Sequence, residues 1–328
     1  MNDGITVVVP YYNEQQTIIS TIERVAQQTL SAKCAIFVNS SSTDESSKLL
    51  DKWIEVNQNN YSTQFKNVFE NTSNPGSSKN VGIRYTDTQW IAFMDCGQKF
   101  DSDWLYKQFS HAIKYNLDVI FGVVYLSGIN WVDRCAVTQT YGYKHNRPCV
   151  PSTLVKKAVF DETGLFLEGR RSGYDLSWRI KVKKVIKAHG INKNVKIAYR
   201  GANYAPTLKL LFKKAILYAQ PALGLDGYYI PYLYLICFTF FSYLAFLDID
   251  FFIKLVSVYM ITRIFIAPII KSHGIIFFKE HPMEALFGLG IVGLLIDIGK
   301  ITGYFKGIKD YIINKYKGKK NLVNNDKR

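Results

Sequence analysis

The first hundred residues alternate between short apolar runs and amphipathic segments. The apolar runs are rich in β-branched residues and are typical of buried strands, whereas the segments between them place apolar residues at helical spacing. The predicted strands are residues 5–9, 35–38, 68–69 and 90–94. The predicted helices are residues 14–28, a helix capped by Asp44 that ends at about residue 56, and a helix that starts at Ser77. This alternation predicts an α/β domain with a largely parallel sheet and helices on both faces.

The pattern is weaker over the next hundred residues. Residues 118–124 form one more apolar run, and residues 148–169 predict a loop with a short strand. Residues 174–189 predict a basic helix that ends at Gly190. Ligands of parallel sheets bind where the strands end, so the residues that follow three of the strands are expected to share one crevice. They are Pro10-Tyr11, Asn39-Ser40 and Asp95-Cys96.

Apolar residues dominate the chain between residues 228 and 303. Residues 229–247 carry no charge and are long enough to span a bilayer core, so a membrane helix is favoured over a buried core helix. Residues 251–270 predict a second membrane helix that forms a hairpin with the first. Arg263 lies deep in this segment and therefore requires either a protein partner or the membrane interface.

Two further segments are ambiguous. Residues 285–301 contain Asp297 and Lys300 and could span, re-enter or lie flat. An even number of crossings keeps the basic tail cytosolic, which favours a flat or re-entrant segment. Residues 207–220 predict an amphipathic helix for the headgroup layer, and an ordinary surface helix is the alternative.

The charge of the chain helps to distinguish a membrane surface from nucleic acid as the partner. The 328 residues carry a formal net charge of +15, and the basic residues are concentrated beside the apolar segments and in the tail. This arrangement indicates a membrane surface, and with no zinc-finger spacing or other recognition motif we expect no nucleic-acid partner. The five cysteines are scattered, which fits a reduced cytosolic setting. The chain opens with polar residues and then a strand, so we expect the N-terminal domain to stay in the cytosol.

Six segments, in order, resemble the motifs of family 2 glycosyltransferases with the GT-A fold, in the bacterial membrane-anchored group that builds polysaccharides. They are Val7 to Glu14, Ser42-Thr43-Asp44, Gly76 to Gly82 with Lys79-Asn80, Phe93-Met94-Asp95, Gly164 to Glu168, and Tyr174 to Arg179. Each match alone is weak, whereas six at the right spacing are specific. The resemblance covers about residues 5–200, with a looser match through the C-terminal helices.

The resemblance implies an inverting glycosyltransferase that takes a sugar from a nucleoside diphosphate donor. A lipid-linked or growing glycan acceptor at the cytoplasmic membrane is expected, and a divalent cation, Mg²⁺ or Mn²⁺, usually assists such enzymes. The implied nucleotide-sugar-binding residues are Pro10, Tyr11, Asn13, Glu14, Asn39, Ser40, Asp44, Lys79, Asn80 and Asp95. Asp95 is also the implied metal ligand, and Asp175 and Glu168 are the candidate catalytic bases.

The predicted organisation follows from both lines of argument. It comprises a GT-A-like domain at residues 1–204, an amphipathic interfacial helix at 205–226, membrane helices at 227–305 and a basic cytosolic tail at 306–328.

The chain departs from the family pattern at its carboxylates. Asn39-Ser40 stand where two aspartates usually contact the nucleoside, and Asp95-Cys96-Gly97 replaces the metal-binding Asp-x-Asp. Ser172-Gly173 replace a Glu-Asp pair that includes the usual base. Each remaining residue also has an ordinary structural interpretation: Asp95 as a turn residue, Asp175 as a helix-capping or pairing residue, and Lys79 as a solvated lysine.

Three hypotheses follow from these departures. The first is an active glycosyltransferase with a rebuilt metal and base site. The second is a pseudoenzyme that keeps the fold as a binding or scaffold subunit. The third is a basic membrane protein without sugar chemistry.

Overall fold

The computed structural model describes residues 4–72, 74–170, 172–199, 204–225 and 227–325. The chain divides into two compact units, residues 1–125 with 146–201 and residues 126–145 with 202–328. Residues 126–145 therefore belong to the second unit, although the predicted boundary at residue 204 placed them in the first domain.

The first unit is built on a mixed, mostly parallel sheet. The strands are β1 (Ile5–Tyr11), β2 (Cys34–Asn39), β3 (Gln64–Phe69), β4 (Trp90–Phe93), β5 (Gln98–Lys99), β6 (Val119–Val124), β7 (Arg147–Lys156) and β8 (His189–Tyr199). Among the described residues they form one eight-stranded sheet in the order β3-β2-β1-β4-β7-β6-β8-β5. β1 pairs in parallel with β2 and β4, whereas β7 runs antiparallel to both β4 and β6. The predicted parallel α/β core is confirmed.

Helices cover both faces of this sheet. They are α1 (Ile18–Ala26), α2 (Ser46–Asn57), α3 (Pro75–Arg84), α4 (Trp104–Tyr115), α6 (Val159–Thr163) and α7 (Tyr174–Val185). The helix between α4 and α6 in the chain, α5 (Trp131–Thr140), belongs to the second unit. One apolar cluster on each face contains strand residues that are almost fully buried. Helix α3 packs closely against β1, because a Cβ atom at Gly82 would lie 2.2 Å from the Val8 side chain.

Three local predictions for this unit are wrong. The N-cap position of α2 is Glu45 rather than Asp44, although the Asp44 carboxylate accepts a hydrogen bond from the Ser46 amide at 3.1 Å. Helix α7 ends at Val185, and Gly190 lies inside β8, where it packs against Leu117. The segment predicted as loop and short strand contains the ten-residue β7, whose partners on both sides come from distant parts of the chain.

The second unit is helical. Its further helices are α8 (Leu208–Ala219), α9 (Ile230–Leu247), α10 (Ile249–Ile261), α11 (Ala267–Ser272), α12 (Ile276–Glu280) and α13 (Leu289–Asn325), with π-helical turns at Thr262–Ile266 and Glu284–Gly288. Within the described residues, three helical stretches are long and apolar enough to cross a membrane: Ile230–Leu247, Ile249–Ser272 and Glu284–Lys309. Helix α13 is unbroken over 37 residues, so the third segment has no reversal and is not a re-entrant loop.

The predicted interfacial helix is partly covered by the chain itself. Leu211 and Ala215 of α8 are buried. A Cβ atom at Gly299 of α13 would lie 2.7 Å from that of Ala215, and one at Gly303 would lie 2.7 Å from that of Ala219. These glycines, spaced by four, let the two helix backbones approach closely. Much of the apolar face that was predicted to enter the headgroup layer therefore packs against α13.

The deep arginine has the protein partner that the sequence requires. Arg263 Nε lies 2.9 Å from Asp297 Oδ2, and both side chains are about nine-tenths buried. The hydroxyl groups of Tyr234 and Tyr259 donate to Asp297 at 2.8 and 2.7 Å. One carboxylate thus joins residues from three predicted membrane segments.

Candidate functional site

The candidate site lies in the first unit, at the edge where the parallel strands end. β1, β2 and β4 run in one direction and finish at this edge. β7 runs the opposite way and therefore begins there. The topology brings the ends of three strands and the start of a fourth to one side of the sheet, which is where open α/β sheets bind ligands.

Two loops at this edge brace each other through short polar side chains. The Asn13 side chain accepts a hydrogen bond from the Thr43 amide at 2.8 Å, and the Asn13 amide donates to the Ser42 hydroxyl at 3.0 Å. Asp44 accepts from the Gln15 amide at 3.1 Å. Partial burial disfavours ionisation of Asp44, but these hydrogen bonds, with those from Ser46, outweigh it and lower its pKa. Asn13 and Asp44 thus hold the loops in place.

The next predicted residues are mainly structural. Tyr11 is 2% exposed; its hydroxyl donates to Asn67 Oδ1 at 2.8 Å, and burial raises its pKa to about 12. Asn39 and Ser40 are also buried, and Asn39 Oδ1 accepts from the Ser42 amide at 2.8 Å. The ring of Tyr11 is too deeply buried to contact a ligand at the surface.

Tyr12 is a candidate that the sequence prediction missed. It is 46% exposed at the end of β1, next to the buried Tyr11. Tyr12 directly follows the strand, and both faces of β1 are buried, so the pattern of the strand carried no signal for the exposure of this ring.

Two further predicted residues also serve local structure. Pro10 is partly buried within β1. The Glu14 carboxylate accepts a hydrogen bond from the Thr17 hydroxyl, and the Glu14 amide donates to the Ser46 hydroxyl at 2.7 Å. Glu14 therefore fixes the start of α1 against the first residue of α2.

A buried ion pair lies at the centre of the edge. Lys79 Nζ, on α3, is 2.8 Å from Asp95 Oδ1, and the side chains are 1% and 30% exposed. The ammonium group also lies 5.4 Å from the ring centroid of Tyr174, the first residue of α7. The structure thus brings Lys79 and Asp95 together. The ammonium group of Lys79 is paired with Asp95, so Lys79 is not the solvated lysine of the alternative interpretation.

Asn80 and Glu168 form a second cluster. Asn80 is 1% exposed and exchanges hydrogen bonds with the Phe166 backbone, while its Nδ2 donates to Glu168 Oε1 at 2.8 Å. Arg84 also donates to Glu168, at 3.0 Å. The hydrogen bond from Asn80 and the charge of Arg84 hold the pKa of Glu168 below its usual value. A carboxylate so well satisfied is a weak base, so Glu168 is better assigned to holding its loop.

The residues around Asp95 do not fit a protein-held divalent cation. Asp95 already pairs with an ammonium group, and Cys96 and Gly97 supply no second carboxylate. The side-chain oxygen Oε1 of Gln98 instead accepts a hydrogen bond from the Asp95 amide at 3.2 Å. No group of three potential His, Cys, Asp or Glu ligands occurs within the described part of the chain. The donor set therefore disagrees with the metal role implied for Asp95.

Charges of both signs act on the thiol of Cys149, a half-buried residue of β7. Burial raises the pKa of Cys149; the negative charges of Asp95 and Asp175 raise it further, and the positive charge of Arg179 lowers it. Asp175 and Arg179 are four residues apart on α7 and so share one face of that helix. Lys79 contacts both Asp95 and the ring of Tyr174, so the start of α7, with the predicted base Asp175, lies near Asp95.

The comparisons with known proteins concern the family and the fold. The model of the family described as Glycosyl transferase family 2 matches residues 6–165. An uncharacterized glycosyltransferase of Rickettsia bellii is 27% identical over 249 residues, covering 72% of this chain and 34% of that protein. A teichoic acid poly(glycerol phosphate) polymerase of Staphylococcus epidermidis is 30% identical over 98 residues, covering 30% of this chain and 13% of that protein. The chain thus spans about a third or less of the length of these two relatives.

One solved structure shares the fold over most of the chain. The mannosyltransferase PcManGT from Pyrobaculum calidifontis, in complex with GDP-Man and Mn²⁺, covers 92% of this chain and 88% of its own, with a TM-score of 0.55 and 13% sequence identity. At this identity the likeness concerns the fold.

Proposed function

The chain carries a family 2 glycosyltransferase domain of the GT-A fold, and from this premise we propose that it transfers a sugar, with inversion, from a nucleoside diphosphate donor to an acceptor at a membrane. The observation that carries the proposal is that Tyr12 and Asp95 follow neighbouring parallel strands, while Lys79 contacts both Asp95 and the ring of Tyr174, the neighbour of Asp175. An exposed aromatic ring suits a nucleotide base, and a carboxylate suits an acceptor hydroxyl.

Asp175 is the base in this proposal. As the acceptor oxygen bonds to the anomeric carbon, the bond from that carbon to the diphosphate oxygen breaks. The proton of the acceptor hydroxyl passes to Asp175, and the nucleoside diphosphate leaves with one more negative charge. Asp175 suits this role better than Glu168, because Glu168 is already bound by Asn80 and Arg84.

The class of acceptor is inferred from the apolar helices of the second unit. Three stretches long and apolar enough to cross a membrane support a membrane-held enzyme, and such an enzyme meets substrates held in the same layer. A lipid-linked or growing glycan acceptor at the cytoplasmic membrane, with the first unit in the cytosol, fits this arrangement. The basic residues that flank the apolar segments favour that orientation.

The replacement Asp175→Asn tests the base assignment. Loss of general base catalysis should lower kcat by about 100-fold or more, with a small change in KM for the donor. The matched control is Glu162→Gln, which removes an exposed carboxylate from α6 of the same unit and should leave kcat unchanged. An Asp175→Asn variant with wild-type kcat would contradict the assignment. A wild-type chain that binds a nucleotide but transfers no sugar would instead be the pseudoenzyme.

A further inference from the structure

The site lacks a fitting set of metal ligands, yet the leaving diphosphate needs positive charge beside it. Lys79 does not supply this charge directly, because its side chain is 1% exposed and paired with Asp95. Other basic side chains at the same edge of the sheet can supply it.

Arg147 is placed at this edge by the topology. It is the first residue of β7, which runs antiparallel to β4 and β6, so it lies where those strands end. It pairs in register with Val124, the last residue of β6. Two residues later on the same strand comes Cys149, which therefore shares a face with Arg147.

Arg179 approaches the same place from α7. Its charge acts on Cys149 and also on Arg147, whose pKa is lowered first by burial and then by the charge of Arg179. The Nε atom of Arg179 is buried and has no hydrogen-bond partner. A buried guanidinium donor without an acceptor is costly, and an anion bound between Arg147 and Arg179 would supply one.

We propose that Arg147 and Arg179 bind the diphosphate of the donor in place of a protein-held divalent cation. The inference rests on the proposed function, because it takes a nucleoside diphosphate sugar as the ligand. Guanidinium groups donate two parallel hydrogen bonds to phosphate oxygens and keep their charge at all physiological pH values. They would therefore bind the ground-state diphosphate and stabilise the negative charge that it gains on leaving.

The experiment is calorimetric titration of the full chain in detergent with UDP, GDP and dTDP, their monophosphates and the free nucleosides, each with EDTA and with Mn²⁺. For the preferred base, wild-type protein should bind the diphosphate equally well in EDTA and in Mn²⁺. Arg147→Gln and Arg179→Gln should each weaken diphosphate binding by about 10- to 100-fold, with a smaller loss for the monophosphate and none for the nucleoside.

Two controls keep the result interpretable. Lys184→Gln removes an exposed charge from the same helix and should leave all affinities unchanged. Arg179→Lys and Arg147→Lys keep the charge and should restore part of the diphosphate affinity. If a glutamine variant also loses nucleoside binding because it misfolds, the lysine variants provide the test instead. Lysine variants that fold and bind the nucleoside, but bind the diphosphate no better than the glutamine variants, would overturn the proposal.

The remaining outcomes separate this inference from the proposed function. Diphosphate binding that EDTA abolishes, or glutamine variants that bind diphosphate like wild type, would overturn the arginine site while leaving a nucleotide-binding transferase. A wild-type chain that binds no nucleotide, monophosphate or nucleoside would overturn the proposed function itself.

Discussion

At the residue scale, the Lys79–Asp95 pair is the contact most specific to this chain. A nearly fully buried ammonium group is matched by one carboxylate at 2.8 Å and by the face of Tyr174. Removing one partner of such a pair leaves an uncompensated charge in a poorly solvated place. The pair therefore fixes the Asp95 carboxylate at the site and couples its position to α3 and α7.

Lys79→Met should lower the free energy of unfolding by about 2 kcal/mol, because Asp95 loses its counter-charge while remaining partly exposed. The double variant Lys79→Met/Asp95→Asn should lose less than the sum of the single variants. Denaturant unfolding followed by circular dichroism measures both. Lys48→Met is the matched control: Lys48 pairs with Glu45, but their side chains are 78% and 61% exposed, so the loss should stay below about 0.5 kcal/mol. Equal losses for Lys79→Met and Lys48→Met would contradict the buried-pair account.

The residue scale is also where sequence prediction was least complete. Asn80 was expected to contact the donor, but its partner is the Phe166 backbone, 86 residues away in the chain. Arg147 was missed altogether, because its place at the edge depends on β7 running antiparallel. Motifs identify which residues gather at a site, whereas the partner of each side chain depends on register and on contacts that no local pattern encodes.

At the element scale, the strands of the parallel core were predictable because each is a short apolar run bounded by turn residues. The structure extends β1 to Tyr11 and β3 back to Gln64, beyond the apolar runs. Strand β7 was not predictable from its composition, since Pro148 and Pro151 interrupt it and read locally as loop. Its antiparallel pairing with β4 and β6 outweighs that local preference.

The Arg263–Asp297 pair allows a test of how the predicted membrane helices hold together. Asp297→Leu leaves Arg263 buried without its counter-charge and should destabilise the second unit by about 3 kcal/mol. Arg263→Leu/Asp297→Leu should recover most of that loss, because a buried ion pair and an apolar pair of similar size are close in stability. Thermal unfolding in detergent, followed by circular dichroism, measures both variants.

The control for this pair is Asp250→Asn, an exposed carboxylate near the turn between α9 and α10. It should leave the unfolding midpoint unchanged. A double variant as unstable as Asp297→Leu alone would mean that the two charges act separately rather than as a pair.

At the scale of the whole molecule, the chain joins an α/β unit to a helical unit, whose described residues include three stretches long enough to cross a membrane. The change in composition near residue 228 predicted a second unit, but nothing in the composition indicated that residues 126–145 belong to it. That segment is separated from the rest of its unit by more than fifty residues of the first unit, so only tertiary contacts reveal the assignment.

The proposed reaction moves a sugar from a nucleoside diphosphate donor to a membrane-held acceptor. The most direct measurement incubates the full chain, in vesicles made from bacterial membrane lipids, with a panel of radiolabelled UDP-, GDP- and dTDP-sugars. Both the nucleoside diphosphate released and the label that enters the lipid phase are followed. We expect release from one class of donor, label in the lipid phase, and loss of both signals in Asp175→Asn but not in Glu162→Gln. Absence of release from every donor, by a chain that still binds the nucleotide, would contradict it.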